Sequence, residues 1–376
     1  MHISAAGLCN IDRALAAQIL SLRPVPAPAL DCEKGEGTLR DGLLVAMKAF
    51  NLLSAMNDRD TGVAGKLLAT LRVNAFGIAF PELYLGLSSW GRGDAARARW
   101  HFQQHIARYS ADVIAIHMVH MLDFLHGNPA GYRDYMATAA VTPDEQLQGY
   151  YDGMRAFAAI ENGDAETCEA VAAAAVATNA DDIYGLHALV HAYHTRDWHD
   201  AVVAVLEERM PSWKSNPGMN MHVFWHLAIS YQAQGQTANA VATFLELIRM
   251  KADPLAETDI DTTDFLWRMR LLDTNRQQCQ PLFEDLARSW APSIYTSRSY
   301  FNDFHAAVAF IGAGERTFLA KLASKPDIAC LDKATNRAGK AILAAAEHYM
   351  DGDYACTAGL LEDSRPDWFR IGGSRA

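Results

Sequence analysis

The chain has 376 residues, half of them hydrophobic and a fifth charged, with a formal net charge of −11. This is an ordinary composition for a folded, water-soluble protein. The acidic balance argues against nonspecific binding to nucleic acid or to anionic lipid, because both repel negative charge.

The first 38 residues are predicted to form a short helix followed by a proline-rich linker. The opening segment has no charged region followed by an apolar core, so it does not resemble a signal peptide. No apolar stretch of about 20 residues occurs to span a membrane. Residues 23–28, RPVPAP, cannot be helical throughout, because successive prolines block a helix. The six cysteines are scattered without a CxxC spacing, which is typical of reduced thiols, and we expect a cytoplasmic protein.

From residue 39 onwards, a turn of glycine and a polar residue recurs at steps of about 33 to 40 residues, a period typical of helical-hairpin repeats. Each glycine is expected to end one helix in the left-handed conformation, and an Asp or Asn after it to begin the next. No alternating strand pattern competes. The sequence therefore predicts an all-α solenoid over residues 39–363, with a frayed tail over 364–376. The turns are Gly93-Asp94, Gly127-Asn128, Gly163-Asp164, Arg196-Asp197, Gly235-Gln236, a less distinct one near Asp273-Thr274, Gly314-Glu315 and Gly352-Asp353.

Five histidines lie in two Ala- and Leu-rich helical segments, 184–195 and 220–232. His187, His226 and His305 each lie nine residues before a turn position, so they occupy one equivalent position on three helices. His191 follows His187 by four residues and His222 precedes His226 by four, so each pair shares a helix face. Equivalent positions line up along a solenoid, and these are expected to face one concave groove.

Three interpretations of these histidines stay open. They are satisfied core residues, or metal ligands, or acid–base groups. Two i, i+4 pairs supply four imidazoles for a metal ion, but HALVH (187–191) lacks the glutamate of the HExxH motif and no cysteine is nearby, so a metal is not favoured and the cofactor stays unknown. An acid–base role needs an orienting carboxylate, for which Asp303, Asp261 and Asp264 are candidates. Arg268 is a candidate for holding an anionic group of a substrate.

The remaining histidines divide into two groups. His120, on an earlier helix, is a further candidate for the cluster, whereas His126, beside a turn glycine, is interpreted as a helix-end residue near the negative end of the helix dipole. Surface or packing roles are predicted for His2, His101, His105, His199 and His348.

Five segments carry a family resemblance, and they occur in matching order between about Pro81 and Gly314. They resemble segments of the tetratricopeptide repeat protein 38 family. The resemblance implies a right-handed superhelix of tetratricopeptide-like hairpins, but no particular reaction. It also implies a characteristic polar set of His120, His187, His191, His222, His226, Arg268, Asp303 and His305. The five segments are YYDGMRAF (150–157), HALVHAYH (187–194), HVFWH (222–226), DTTDFLWR (261–268) and FNDFH (301–305).

The chain departs from the family pattern at three places. The family usually has a glutamate three residues after its second histidine, where this chain has His194. A His-Asp pair is replaced by His120-Met121, and an early Arg-Glu…His segment is replaced near FPELYL (80–85). If that glutamate is the general base, this chain has an altered or inactive site, or one tuned to another substrate.

Two functional classes follow. In the first, the concave groove binds a small molecule or a peptide. In the second, the chain is an enzyme that uses the histidine cluster for general acid–base chemistry on a small molecule, with or without a metal ion. Neither nucleic acid nor membrane is an expected partner, while a homodimer stays among the predictions. The candidate catalytic residues are His187, His191, His226, His305 and Asp303, and the candidate ligand-binding residues are His120, His194, His222, Trp225, Arg268, Asp261 and Tyr151.

Overall fold

A computed structural model describes residues 7–26, 37–136, 144–250, 256–272 and 276–374. Within these ranges the chain is helical and contains no strand, apart from an isolated antiparallel bridge between Asn57 and Ser297. The prediction of an all-α protein is confirmed. Part of the predicted linker, the turn near Asp273-Thr274, Cys32 and His2 lie outside the described residues. No described helix is long and apolar enough to cross a membrane.

The chain divides into two compact units. Unit 1 consists of Met1–Ala55, Asp60–Val223 and Ser374–Ala376, and unit 2 consists of Met56–Arg59 and Phe224–Gly373. The single repeat domain proposed for residues 39–363 stays a prediction.

Among its described residues, unit 1 starts with a short 3₁₀ helix, Gly7–Asn10, and continues as a series of α-helices. These pack mainly against their neighbours in sequence, such as α5 with α6 and α9 with α10 and α11. These helices are α1 (Arg13–Leu20), α2 (Leu39–Ser54), α3 (Asp58–Leu71), α4 (Ala75–Ala79), α5 (Pro81–Gly91), α6 (Ala95–Arg108), α7 (Val113–Leu125), α8 (Gly131–Met136), α9 (Glu145–Glu161), α10 (Ala165–Thr178), α11 (Ile183–His194), α12 (His199–Glu208), α13 (Met210–Trp213) and the start of α14 (Asn220–Ala233).

Unit 2 contains the rest of α14 and seven further α-helices among its described residues, with α18 packed against α16, α17 and α20. They are α15 (Thr237–Met250), α16 (Ala256–Leu271), α17 (Arg276–Trp290), α18 (Tyr300–Ala313), α19 (Arg316–Ala323), α20 (Lys333–Asp351) and α21 (Tyr354–Ser364), and the 3₁₀ helices are Ala291–Ser293 and Arg365–Ile371.

The predicted turn glycines have left-handed backbone conformations, which confirms the sequence interpretation. In the turn that lacks a glycine, the left-handed residue is Asp197, with φ 56°, rather than Arg196. Aspartate tolerates this conformation better than most residues, since its short polar side chain can bond locally. The φ values are 82° at Gly93, 61° at Gly127, 84° at Gly163, 73° at Gly235, 80° at Gly314 and 81° at Gly352.

A close backbone approach fixes α11 against α9. A Cβ atom added at Gly153 would lie 3.0 Å from the Cα of Gly185 and 2.3 Å from Oδ2 of Asp182, so only glycine fits there. The other carboxylate oxygen of Asp182 accepts a hydrogen bond from the Gly185 N–H at 2.9 Å and so begins α11. Burial raises the pKa of Asp182 to about 8. Phe157 and Glu161 follow Gly153 by one and two helical turns, so they lie on the α9 face that meets α11.

Candidate functional site

Three histidines of unit 1 direct their Nε2 atoms at one another. Helix α11 carries His187 and His191 one turn apart, and α14 carries His222. The Nε2 atom of His187 lies 2.7 Å from Nε2 of His191 and 3.0 Å from Nε2 of His222. Ring nitrogens of all three lie within 4.8 Å of one another, a spacing at which a single metal ion can be held. We call these three residues the histidine cluster.

The histidine cluster lies in a desolvated environment. His187 and His191 are 5 % and 4 % exposed, and His222 is half-buried. Burial is the main cause that lowers the pKa of His187 well below its usual range, and the neighbouring histidines lower it further. His187 is therefore neutral at pH 7. A neutral imidazole is the form that binds a metal ion, because one ring nitrogen keeps its lone pair.

Aromatic side chains surround the cluster. The ring of Phe157 stacks on His187, with centroids 5.6 Å apart and an interplanar angle of 20°, and it meets His191 nearly at right angles at 5.7 Å. Tyr184 lies 5.9 Å from His187, measured between ring centroids. These aromatic contacts reduce the exposure of His187 and His191 to water, which favours the uncharged form of a ring.

His120 contacts Tyr184 and Phe157, two aromatic residues that border the cluster. Its Nε2 atom lies 2.8 Å from the Tyr184 hydroxyl, and its ring stacks on Tyr132 at 4.7 Å. Burial, followed by repulsion from His117, lowers the pKa of His120 to about 3. His120 thus packs among the aromatic residues beside the histidine cluster and is not one of its three members.

Two further histidines lie one helical turn from cluster members. His226 follows His222 by four residues of α14, on the same helix face, and is 2 % exposed. His194 ends α11 and is half-buried, with its ring 5.4 Å from that of His199. His194 occupies the position where the resembled family has its glutamate.

Unit 2 holds a second group of predicted residues, around Asp264 on α16. The Oδ2 atom of Asp264 accepts hydrogen bonds from Nε1 of Trp225 at 3.0 Å and from Nε of Arg268 at 2.7 Å. Arg268 is exposed, and its ion pair with Asp264 spans one helical turn. The guanidinium predicted to hold a substrate anion is therefore engaged by a carboxylate of the protein.

His305 on α18 is fixed by its own helix. Its Nδ1 atom lies 2.8 Å from the backbone carbonyl oxygen of Phe301, so the neutral ring carries its proton on Nδ1 and its lone pair on Nε2. Burial lowers the pKa of His305, while the Phe301 carbonyl and the charges of Asp264 and Asp261 act in the opposite direction. Asp261 is 3 % exposed.

Asp303 pairs with a lysine. Its Oδ2 atom lies 2.5 Å from Nζ of Lys325, and both side chains are buried. Burial raises the pKa of Asp303 to about 6 although the lysine opposes that shift. The sequence suggests Asp303 as the carboxylate that orients His305, but residues two apart on a helix do not face each other.

Tyr151 has a structural contact. It is 7 % exposed, and its hydroxyl donates to the backbone carbonyl of Met136 at 3.3 Å. This hydrogen bond satisfies the buried hydroxyl of Tyr151, so no ligand is needed to explain its burial.

Sequence reasoning missed two residues behind His191. Ser374 lies with its hydroxyl 3.4 Å from Nδ1 of His191, and that hydroxyl donates to the carboxylate of Glu161. Glu161 had a signal, since it continues the one-turn spacing of Gly153 and Phe157 on α9. Ser374 had none, because it is 183 residues from His191 along the chain.

No protein-family model matches the chain. The resemblance to the tetratricopeptide repeat protein 38 family stays a prediction, and the functional argument rests on the geometry of the sites.

Proposed function

We propose that His187, His191 and His222 bind one divalent transition-metal ion, and that the protein acts on a small molecule bound at that ion. The observation that carries this proposal is the meeting of three Nε2 atoms in a desolvated site. Imidazoles that meet edge to edge cannot all donate to one another, whereas a cation at their centre uses every lone pair.

The distances fit a metal ion of ordinary size. A Zn²⁺–N bond of about 2.0–2.1 Å places tetrahedral ligand atoms roughly 3.3 Å apart. The 2.7 Å and 3.0 Å separations in the cluster are about 0.6 Å and 0.3 Å shorter than this spacing. An all-imidazole set favours zinc, copper, nickel or iron over magnesium and calcium, which prefer oxygen ligands.

The number of histidine ligands decides what the site does. Three protein ligands leave a fourth position on zinc for water or a small molecule, as in catalytic zinc sites. Zinc bound in that way lowers the pKa of its water to about 7 and so supplies a nucleophile at neutral pH. We propose an open site whose ligands are the three histidines of unit 1.

The test is a cobalt(II) titration of metal-stripped full-length protein, followed by visible absorption and by zinc competition. We expect one saturable site whose affinity falls at least 100-fold, about 2.7 kcal/mol, in His187→Gln. The matched control is His101→Gln, a buried histidine of α6, which should bind like wild type. His226→Gln should keep the site. No saturable binding in wild type, or equal binding in His187→Gln, would contradict the proposal.

A second candidate function is acid–base chemistry at His305 of unit 2. The hydrogen bond from Nδ1 to Phe301 leaves the Nε2 lone pair available as a base, beside the charges of Asp261 and Asp264. Nitrogen-15 NMR of the imidazoles should find the proton of His305 on Nδ1. A proton on Nε2 would contradict this role.

We also infer a superhelix of tetratricopeptide-like hairpins, membership of the tetratricopeptide repeat protein 38 family and a cytoplasmic location. The regular turns and the five resembling segments support the first two, and the scattered cysteines support the third.

A further inference from the structure

We infer that Glu161 is a positioning residue, which holds His191 through the hydroxyl of Ser374 so that Nε2 of His191 faces the metal ion. This inference rests on the proposed function, because it assigns the support behind one of the three ligands. It also predicts which nitrogen of His191 carries the proton.

Glu161 is placed for this role by the crossing of α9 and α11. It is the last residue of α9 and is only 3 % exposed. A buried carboxylate is costly unless it accepts hydrogen bonds. The close approach at Gly153 turns the α9 face of Phe157 and Glu161 towards α11, and the Ser374 hydroxyl donates to the Glu161 carboxylate.

The two nitrogens of His191 face different surroundings. Its Nε2 atom meets Nε2 of His187 at 2.7 Å, whereas its Nδ1 atom lies 3.4 Å from Oγ of Ser374. Since the Ser374 hydrogen points to the carboxylate, its oxygen is left to accept the Nδ1 proton of His191. A neutral ring with its proton on Nδ1 has its lone pair on Nε2, directed into the cluster.

A carboxylate behind a ligating histidine is a common arrangement at metal sites. It fixes the ring orientation, makes the ligand nitrogen more basic, and its loss costs about 10- to 100-fold in metal affinity or activity. Here the carboxylate acts through one intervening hydroxyl, so removal of either Glu161 or Ser374 breaks the same connection.

Glu161 also acts on two buried tyrosines, and the test must separate this effect from the positioning of His191. Burial is the main cause that raises the pKa of Tyr132 and Tyr184, and the charge of Glu161 raises the pKa of both further. Replacement of Glu161 therefore changes the charge near Tyr132 and Tyr184 as well as the hydrogen bonding that holds His191. Replacement of Ser374, which is exposed, leaves the Glu161 carboxylate in place and removes the hydroxyl that connects it to His191.

The experiment measures zinc affinity of the full-length chain by competition with a chromophoric chelator, beside the melting temperature of the metal-free protein. Glu161→Gln and Ser374→Ala should each weaken zinc binding about 10- to 100-fold, and the double variant should weaken it no more than the stronger single change. Ser374→Thr keeps the hydroxyl and should restore affinity. Glu166→Gln, an exposed glutamate on α10, is the matched control and should bind like wild type.

The outcomes separate this inference from the proposal beneath it. Wild-type affinity in Ser374→Ala, or a Ser374→Thr variant as weak as the alanine variant, overturns the positioning role while leaving the metal site intact. A lower melting temperature in Glu161→Gln with unchanged zinc affinity assigns Glu161 to packing alone and also overturns it. Failure of the wild-type protein to bind zinc contradicts the proposed function and this inference together.

Discussion

Helices α6 and α11 of unit 1 both carry two histidines four residues apart, and both pairs are buried, but the rings face different groups. On α6, Nδ1 of His101 lies 2.6 Å from Glu82, and Nε2 of His105 lies 2.8 Å from Asp112. On α11, His187 and His191 face each other. An i, i+4 spacing therefore does not distinguish a structural pair from a candidate metal site.

The difference lies in what each ring nitrogen meets. A carboxylate partner satisfies an imidazole in either charge state and needs no further ligand. On α11 the ring of His187 instead meets other imidazoles and the ring of Phe157, and burial lowers its pKa, so it is held neutral. The α6 pair is consequently a built-in control for every experiment on the α11 pair.

The largest effect is expected from breaking the structural pair with Asp112→Ala. Asp112 is fully buried, accepts from the Leu8 N–H and pairs with His105, so its loss leaves a buried imidazole without its hydrogen-bond partner. The free energy of unfolding should fall by about 3–5 kcal/mol, measured by urea denaturation. Asp94→Ala, which removes an exposed helix cap, should cost only about 1 kcal/mol. Equal costs would show that the contact between His105 and Asp112 does not stabilise the fold.

A slightly smaller effect is expected from replacing the second histidine of each pair. On α11 the replacement should weaken metal binding, and on α6 it should weaken folding. His191→Gln should lower zinc affinity at least 100-fold, about 2.7 kcal/mol, while leaving metal-free stability nearly unchanged. His105→Gln should do the reverse, because it removes the partner of a buried carboxylate. Zinc affinity by competition and urea midpoints of the metal-free proteins give the two readouts. Loss of zinc binding in both variants would remove the distinction between the helices.

A smaller effect on the free energy of unfolding, dependent on pH, should come from buried histidines such as His117, whose pKa is lowered by burial alone. Burial lowers the pKa of His117 to about 4, below the value near 6.5 of the unfolded chain. As the pH falls from 6.5 towards 4, the unfolded chain takes up a proton that the folded chain does not, so stability is lost. The loss is at most about 1.4 kcal/mol per pH unit for each such group.

Urea midpoints at pH 7 and pH 5 measure this loss. The wild-type protein should lose more stability over that interval than His117→Gln, which has no proton to take up at that position. An equal or larger loss in the variant would contradict a neutral, desolvated His117.

The sequence predicted the elements well because their signals are local. A glycine such as Gly163 ends one helix through its own backbone freedom, and Asp164 caps the next through a bond to Thr167 three residues away. The pairing of His187 with His191 follows from helical spacing in the same way. By contrast, the division into two units near residue 223 has no signal in the sequence, since α14 continues through it.

The parts of the site that the sequence did not predict depend on contacts between distant residues. The short sequence distance between Asp303 and His305 suggests that the two act together, yet Asp303 pairs with Lys325, 22 positions further along. Ser374 reaches His191 from the far end of the chain. The sequence also placed His101 and His105 with surface or packing residues without showing their carboxylate partners, which are what separates them from the α11 pair.

The most direct test of the metal site is elemental analysis of the full-length protein after zinc reconstitution and exhaustive dialysis, beside a His187→Gln/His222→Gln double variant. A His101→Gln/His105→Gln variant serves as the matched control in its folded fraction. The account predicts one zinc ion per chain in wild type and in the α6 control, and none in the α11–α14 variant. Zinc at the same level in all three proteins, or in none of them, would contradict it.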